Sequence, residues 1–137
     1  MKITIIKEDN TVVIDNLGFD EMDLSSVETN IHAIQFDTDI SKGHIEYVDD
    51  RVNEEITDIT SYQSIIDSHA QKKTELDTQE QKAEDDFNAY KETYEYKRSI
   101  AYPSIEDQLD MQYHDKINGT TTWEDAVAKV KSDNPKS

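Results

Sequence analysis

The side chains able to do chemistry are few, and their spacing serves no familiar reaction. Four histidines occur, His32, His44, His69 and His114, and none has a second histidine four residues away with the glutamate that a zinc-hydrolase helix needs. His114 has Asp110 four residues before it, the nearest approach to a metal pair, but two ligands on one helix require others from elsewhere. With no cysteine there is no thiolate nucleophile, thiolate metal site or disulfide framework. The three glycines, Gly18, Gly43 and Gly119, are too dispersed to form a phosphate-cradling loop. The acidic run from Asp37 to Asp39 lacks the alternation and terminal glutamate of a calcium loop, and no Ser/His/Asp set can be assigned. The expectation is a protein that is not an enzyme and holds neither cofactor nor metal.

The elements that carry these residues are read from periodicity. Residues 1–60 are expected to form a small antiparallel β domain of four or five strands. Ile3-Thr4-Ile5 and Val12-Val13-Ile14 are β-branched runs joined through Glu8-Asp9-Asn10, Ile31 to Phe36 forms another strand, and His44 to Val48 alternates apolar and polar. Glu55 to Ile59 suits an edge strand, and Asp20 to Asn30 reads as a loop anchored by Met22, Leu24 and Val27. Thr60 then opens a helix, with Gln63 at the position that completes a capping box.

No glycine or proline interrupts the chain from Tyr62 to Tyr102, which predicts one helix of roughly 36 residues over the 61–101 segment. Positions 62, 66, 69, 73, 76, 80, 83, 87, 90, 94 and 97 keep a strict heptad register, although Lys73 and Glu80 occupy core positions. Two arrangements fit: a homo-oligomer through a coiled coil of the 62–97 helix, or a lone helix that packs by its ends. In the second, Ile65-Ile66 meets the β domain and Phe87-Tyr90-Tyr94 meets the C-terminal segment.

Residues 102–137 read as a helical hairpin. Pro103 pushes Tyr102 towards extended geometry, and Ser104 with Asp107 caps a helix from about Ile105 to His114. Asn118-Gly119 is a turn pair, and Thr122 with Asp125 caps a second helix carrying Trp123, Ala126, Val127 and Val130. Ile105, Leu109 and Tyr113 make one face apolar. They are expected to fold back on Phe87, Tyr90 and Tyr94, with Trp123 closing the small core. The fold class is thus α+β: an N-terminal antiparallel β domain, one long central helix and a C-terminal helical hairpin.

Charge narrows the partners. Residues 1–60 hold 15 acidic and 4 basic side chains, against 9 and 6 in residues 61–100 and 7 and 4 in residues 101–137. Such an excess repels DNA and anionic lipid, so direct nucleic-acid binding is not expected. It suits a solvated surface or a docking face for a basic partner. The 34% hydrophobic content allows only a small core. No basic n-region precedes an apolar run and no 18-residue apolar segment occurs, so neither a signal peptide nor membrane insertion is expected.

One stretch carries a resemblance. Ala101-Tyr102-Pro103-Ser104-Ile105, then Asp107-Gln108-Leu109-Asp110-Met111, Tyr113-His114-Asp115 and Thr120-Thr121-Thr122-Trp123 resemble the C-terminal signature of small tailed-bacteriophage proteins associated with tail fibres and virions. Met1 to Ile6, Val12 to Asp15, Ile31 to Asp37 and Lys42 to Tyr47 resemble the same group, while the polar middle does so weakly. The resemblance implies a virion structural or tail-fibre accessory protein, made in the host cytoplasm and located in the virion tail. It would act as adaptor, cap or assembly aid on other phage tail or fibre proteins. The family brings no catalytic residues. The candidate partner-binding residues are Tyr102, Ile105, Leu109, Tyr113 and Trp123, because large apolar and aromatic side chains bury much area at low entropic cost. For Trp123 the competing role is packing within the hairpin. A second functional class stays open, a non-structural acidic phage protein that mimics DNA to occupy a host nucleic-acid-binding protein.

Overall fold

The protein is α+β, as the periodicities indicate, and the structure, a computed structural model, describes residues 1–136. Six strands form one sheet: β1 (Lys2–Ile6), β2 (Thr11–Ile14), β3 (Leu17–Phe19), β4 (Ile31–Asp37), β5 (Lys42–Tyr47) and β6 (Glu54–Ile56). Their order across the sheet is β3-β2-β1-β4-β5-β6, with every neighbouring pair antiparallel. A 3-10 turn over Thr60–Tyr62 leads into the helices α1 (Gln63–Lys91), α2 (Tyr94–Ala101), α3 (Ile105–Asn118) and α4 (Thr122–Asp133). The chain divides into two compact units, Met1–Gln79 and a second from Glu80 onward, so the division falls within α1.

The first unit is built on strand alternation. Ile3 and Ile5 of β1 stand opposite Phe36 and Ile34 of β4, and opposite Ile14 and Val12 of β2, which places them on one face. Ile45 continues that face on β5. A register irregularity between Ile31 and Ala33 returns Ile31 to the same side, so β4 keeps its apolar residues on the core across seven residues. The core also takes Met22, Leu24 and Val27 from the β3–β4 connection, and Ile59, Ile65 and Ile66 from the approach to α1 and its first turn. Polar residues such as Thr4, Gln35 and His44 occupy the opposite face, the usual division of an antiparallel sheet with one wet side.

The structure has one strand more than the upper expectation. β2 and β3 are joined by Asp15 and Asn16 alone, and both have positive φ, 47° and 71°. That pair of left-handed residues is what a type I′ turn requires, and it sets the twist that lets β3 return along β2.

Four helical expectations need correction. The 62–97 register is not one helix: α1 ends at Lys91, and Thr93 starts α2 by accepting the Tyr96 amide at 3.3 Å. A threonine cap interrupts the helix where no glycine or proline marks a break. At the start of α1, Gln63 does not complete a box with Thr60, because its side-chain amide goes to Asp67, while Asp58 accepts the Thr60 amide at 3.0 Å. The other two concern the hairpin. α3 runs on to Asn118, four residues past the expected end, and stops at Gly119 with φ 69°. α4 draws no side-chain cap bond from its N-cap Thr121, and Thr122 is already helical.

Between its buried beginning and its end, α1 is wet. Ile65, Ile66 and His69 are buried, but every side chain from Lys73 to Tyr90 is exposed. Lys73–Asp77, Lys82–Asp86, Gln71–Glu75 and Gln81–Asp85 are paired at i, i+4, each worth about 0.2–0.5 kcal/mol. Two of these pairs place Lys before Asp, the less favourable order. Amides between Thr74 and Asp86 should therefore exchange orders of magnitude faster than those of Ile65 to His69. Equal protection along α1 in a hydrogen-exchange measurement would mean that a partner covers the middle of the helix.

Candidate protein-protein interface

The side chains with chemical potential do not gather. His32 is exposed on β4. On the polar face of β5, His44 Nε2 lies 3.0 Å from Glu46 Oε1, and that oxygen also accepts the Gln35 side-chain amide at 3.0 Å. His69 is buried and its Nε2 stands 2.9 Å from the Leu17 carbonyl oxygen. A carbonyl only accepts, so Nε2 carries the proton, and the ring sits 4.7 Å from that of Phe19. This histidine fastens α1 to the edge strand. His114 is 3.5 Å from Asp110 on the surface of α3. Among the described residues, no three His, Cys, Asp or Glu side chains are placed to share a metal ion.

The acidic turn at Asp37 to Asp39 holds the N-terminus. The Asp39 amide bonds the Asp37 carboxylate at 2.9 Å, and the Met1 ammonium donates to Asp39 at 2.9 Å. The bond to Asp39 raises the pKa of the ammonium, and the same bond lowers that of the Asp39 carboxyl. A depression of about 300 Å³ beside it is lined by the polar residues Lys2, Thr4, Gln35, Asp37, Lys42 and His44 together with Ile3, Phe36 and Gly43.

In the second unit α3 makes two faces from one periodicity. Gln108, Met111 and Asp115, at i, i+3 and i+7, are half-buried. Gln108 Oε1 accepts the Trp123 indole N–H at 3.1 Å, and Asp115 accepts the backbone amides of Thr122 and Trp123 at 3.0 and 2.9 Å. These bonds tie α3 to α4. A four-residue step through Ile105, Leu109, Tyr113 and Ile117 draws a second line along the helix. These side chains are 74%, 61%, 62% and 60% exposed.

The expected core of Ile105, Leu109 and Tyr113 against Phe87, Tyr90 and Tyr94 is therefore absent. Phe87 and Tyr90 instead place their rings edge-on to Tyr96 of α2, at 6.3 and 5.3 Å, and remain about half exposed. Tyr94 takes Arg98 over its ring at 5.0 Å. Arg98 also donates to the carbonyls of Asn134 and Lys131, at 2.7 and 3.2 Å, and so fixes the end of α4.

Of the five candidate contact residues, Ile105, Leu109 and Tyr113 lie on one open ridge. Tyr102 is half-buried as the extended C-cap of α2, and Trp123 is half-buried in the hairpin. The sequence reading missed Ile117, the next i+4 position, because it ended α3 at His114. No helix among the described residues is long and apolar enough to cross a membrane. No protein-family model matches the chain, and neither a curated protein nor a solved structure matches it.

Proposed function

We propose that the protein is a non-catalytic assembly protein that works through protein-protein contacts, and that the ridge Ile105-Leu109-Tyr113-Ile117 is its contact surface. The single observation carrying this reading is the exposure of four large apolar side chains in a row on one helix. Scattered exposed apolar residues are ordinary, whereas a contiguous line of them on a monomer marks an interaction site. The distribution of charge supports a protein partner. Residues 1–79 hold 18 acidic and 6 basic side chains, and residues 80–137 hold 13 and 8, so the ridge belongs to the less acidic unit.

The resemblance of the Tyr102 to Trp123 stretch to small tailed-phage virion proteins makes other tail or fibre components the natural partners. The role is then that of an adaptor, cap or assembly aid in the virion tail. Quantitative mass spectrometry of purified particles tests this directly. Stoichiometric presence is expected, and absence from particles together with tight binding to a host nucleic-acid-binding protein would favour DNA mimicry instead.

The ridge itself is tested by Leu109→Ala. Because the side chain is exposed, the substitution should leave the stability of the monomer within about 0.5 kcal/mol of wild type. It should nevertheless deplete the protein from assembled particles. A loss of several kcal/mol in urea unfolding would mean that Leu109 is a core residue and the ridge is not free.

A further inference from the structure

We infer that the occupant of the α3 ridge is a second copy of the same chain, packed antiparallel about a two-fold axis that crosses the ridge midway between Leu109 and Tyr113. This rests on the reading of the ridge as a contact surface and names the occupant. The ridge is composed only of i, i+4 steps. Helices that interdigitate such rows cross at about −50°, and at that angle the two rows run parallel where the helices meet, around Leu109 and Tyr113.

The order of side chains on the row is its own complement when reversed. With the axis midway between Leu109 and Tyr113, Ile105 meets Ile117 of the second copy, and Leu109 meets Tyr113 of the second copy. Each large aromatic thus finds a smaller aliphatic partner at both symmetric positions, as an isologous interface requires. A parallel pair would stack Tyr113 on its own copy.

The flanking row is polar. Glu106, Asp110 and His114 follow the ridge on one side, at the same four-residue step. An antiparallel two-fold sets this row against its own reverse, which places His114 of one chain between Glu106 and Asp110 of the other, and Asp110 beside Asp110 of the other. In a parallel pair the row meets Gln108, Gln112 and Lys116 instead, and His114 faces a lysine. The area also fits. The four residues are 60–74% exposed and together make a contiguous patch of a few hundred Å², the size of the largest patch on a typical monomer. Flanking contacts bring each copy towards the ~800 Å² of a standard interface.

The chain has no cysteine, so engineered pairs report without background. Ile105→Cys and Ile117→Cys should be made singly and together in the full chain, oxidised, and run without reductant. In one helix these positions are ~18 Å apart, too far to bridge, and in the antiparallel pair each stands opposite the other. The expected result is a covalent dimer from the double variant alone, and a wild-type protein that sediments as a dimer. Leu109→Gln, with helicity unchanged by circular dichroism, should weaken that dimer by about tenfold or more.

Cross-linking of either single variant would establish a parallel pair and overturn the proposal. So would association that survives Leu109→Gln, because it would lie elsewhere, as on α1. A wild-type monomer at ~100 µM overturns the self-pairing only; depletion of Leu109→Ala from particles would then still assign the ridge to a different protein.

Discussion

Gly43→Ala should open the sheet of the first unit. Gly43 stands opposite Phe36 in the β4–β5 ladder. A Cβ built on it would run into the Gln35 carbonyl oxygen and the Cα of Phe36, and would come within 2.8 Å of the Phe36 ring. Two of those atoms are backbone, and β4 is held on both sides, by β1 and by β5, so it cannot yield without breaking one of two ladders. Overpacking of this kind costs typically about 1–3 kcal/mol and more where the backbone must move. A unit of this size has only about 4–12 kcal/mol to lose. The expected outcome is lost hydrogen-exchange protection at Ile34, Phe36 and Ile45 together. Gly18→Ala is the control, since its Cβ would meet only Val13 Cγ2 at an ordinary 3.5 Å. A Gly43→Ala protein that unfolds with the wild type would show that β4 and β5 do not approach this closely.

Periodicity predicted the features that depend on a repeating pattern, and missed those that depend on single contacts. Strand alternation located β1, β2, β4 and β5, because a buried face forces a period of two on any strand beside it. It could not show β3, whose three residues are too few for a pattern and whose turn, Asp15-Asn16, lacks the glycine that usually announces a hairpin. The end of α1 was invisible for a related reason. The Thr93 hydroxyl closes one helix by donating to the Tyr90 carbonyl and starts another by accepting the Tyr96 amide, and a lone threonine among good helix formers is not distinctive.

The misplacement of the α3 ridge has a different origin. An i, i+4 row of apolar residues says that a face is apolar, and not what it meets. The buried hydrophobic residues fall almost wholly between Ile3 and Ile66, with Val130 the exception among those described. The second unit is held instead by directed bonds, from Arg98 to the end of α4, from Trp123 to Gln108 and from the start of α4 to Asp115. Those partners lie 36, 15 and 8 residues apart, and no local pattern couples them. The ridge is thereby left free, so Ile105, Leu109 and Tyr113 remain open as the candidate contact residues.

Asp115→Asn should loosen α4 at neutral pH, and its effect should fade in acid. Asp115 sits in the last turn of α3, but its carboxylate does the work expected of an N-cap on α4. It accepts the hydroxyls of Thr120 and Thr122 and the amides of Thr122 and Trp123, at 2.5, 2.8, 3.0 and 2.9 Å. The Thr120 hydroxyl, then the Trp123 amide and the two Thr122 donors, hold its pKa far below the ordinary value of 3.8. A carboxyl whose folded pKa is depressed contributes stability that is fully present above its unfolded pKa and is lost as pH falls through the folded one. The difference in stability between wild type and Asp115→Asn should thus be constant from about pH 8 to pH 5, and shrink steadily from about pH 4 to pH 2. The amide keeps one acceptor oxygen, so the substitution retains part of the cap and the helix still forms, whereas Asp115→Ala should cost more. Trp123 is the natural reporter, since it is the chain's single tryptophan and its own amide is one of the donors. Thermal melts followed by its fluorescence should show a lower midpoint for Asp115→Asn at pH 7, converging with the wild type in acid. A gap that stays the same at pH 2.5, or no gap at pH 7, would show that the carboxylate does not start α4, and would return that role to Thr121.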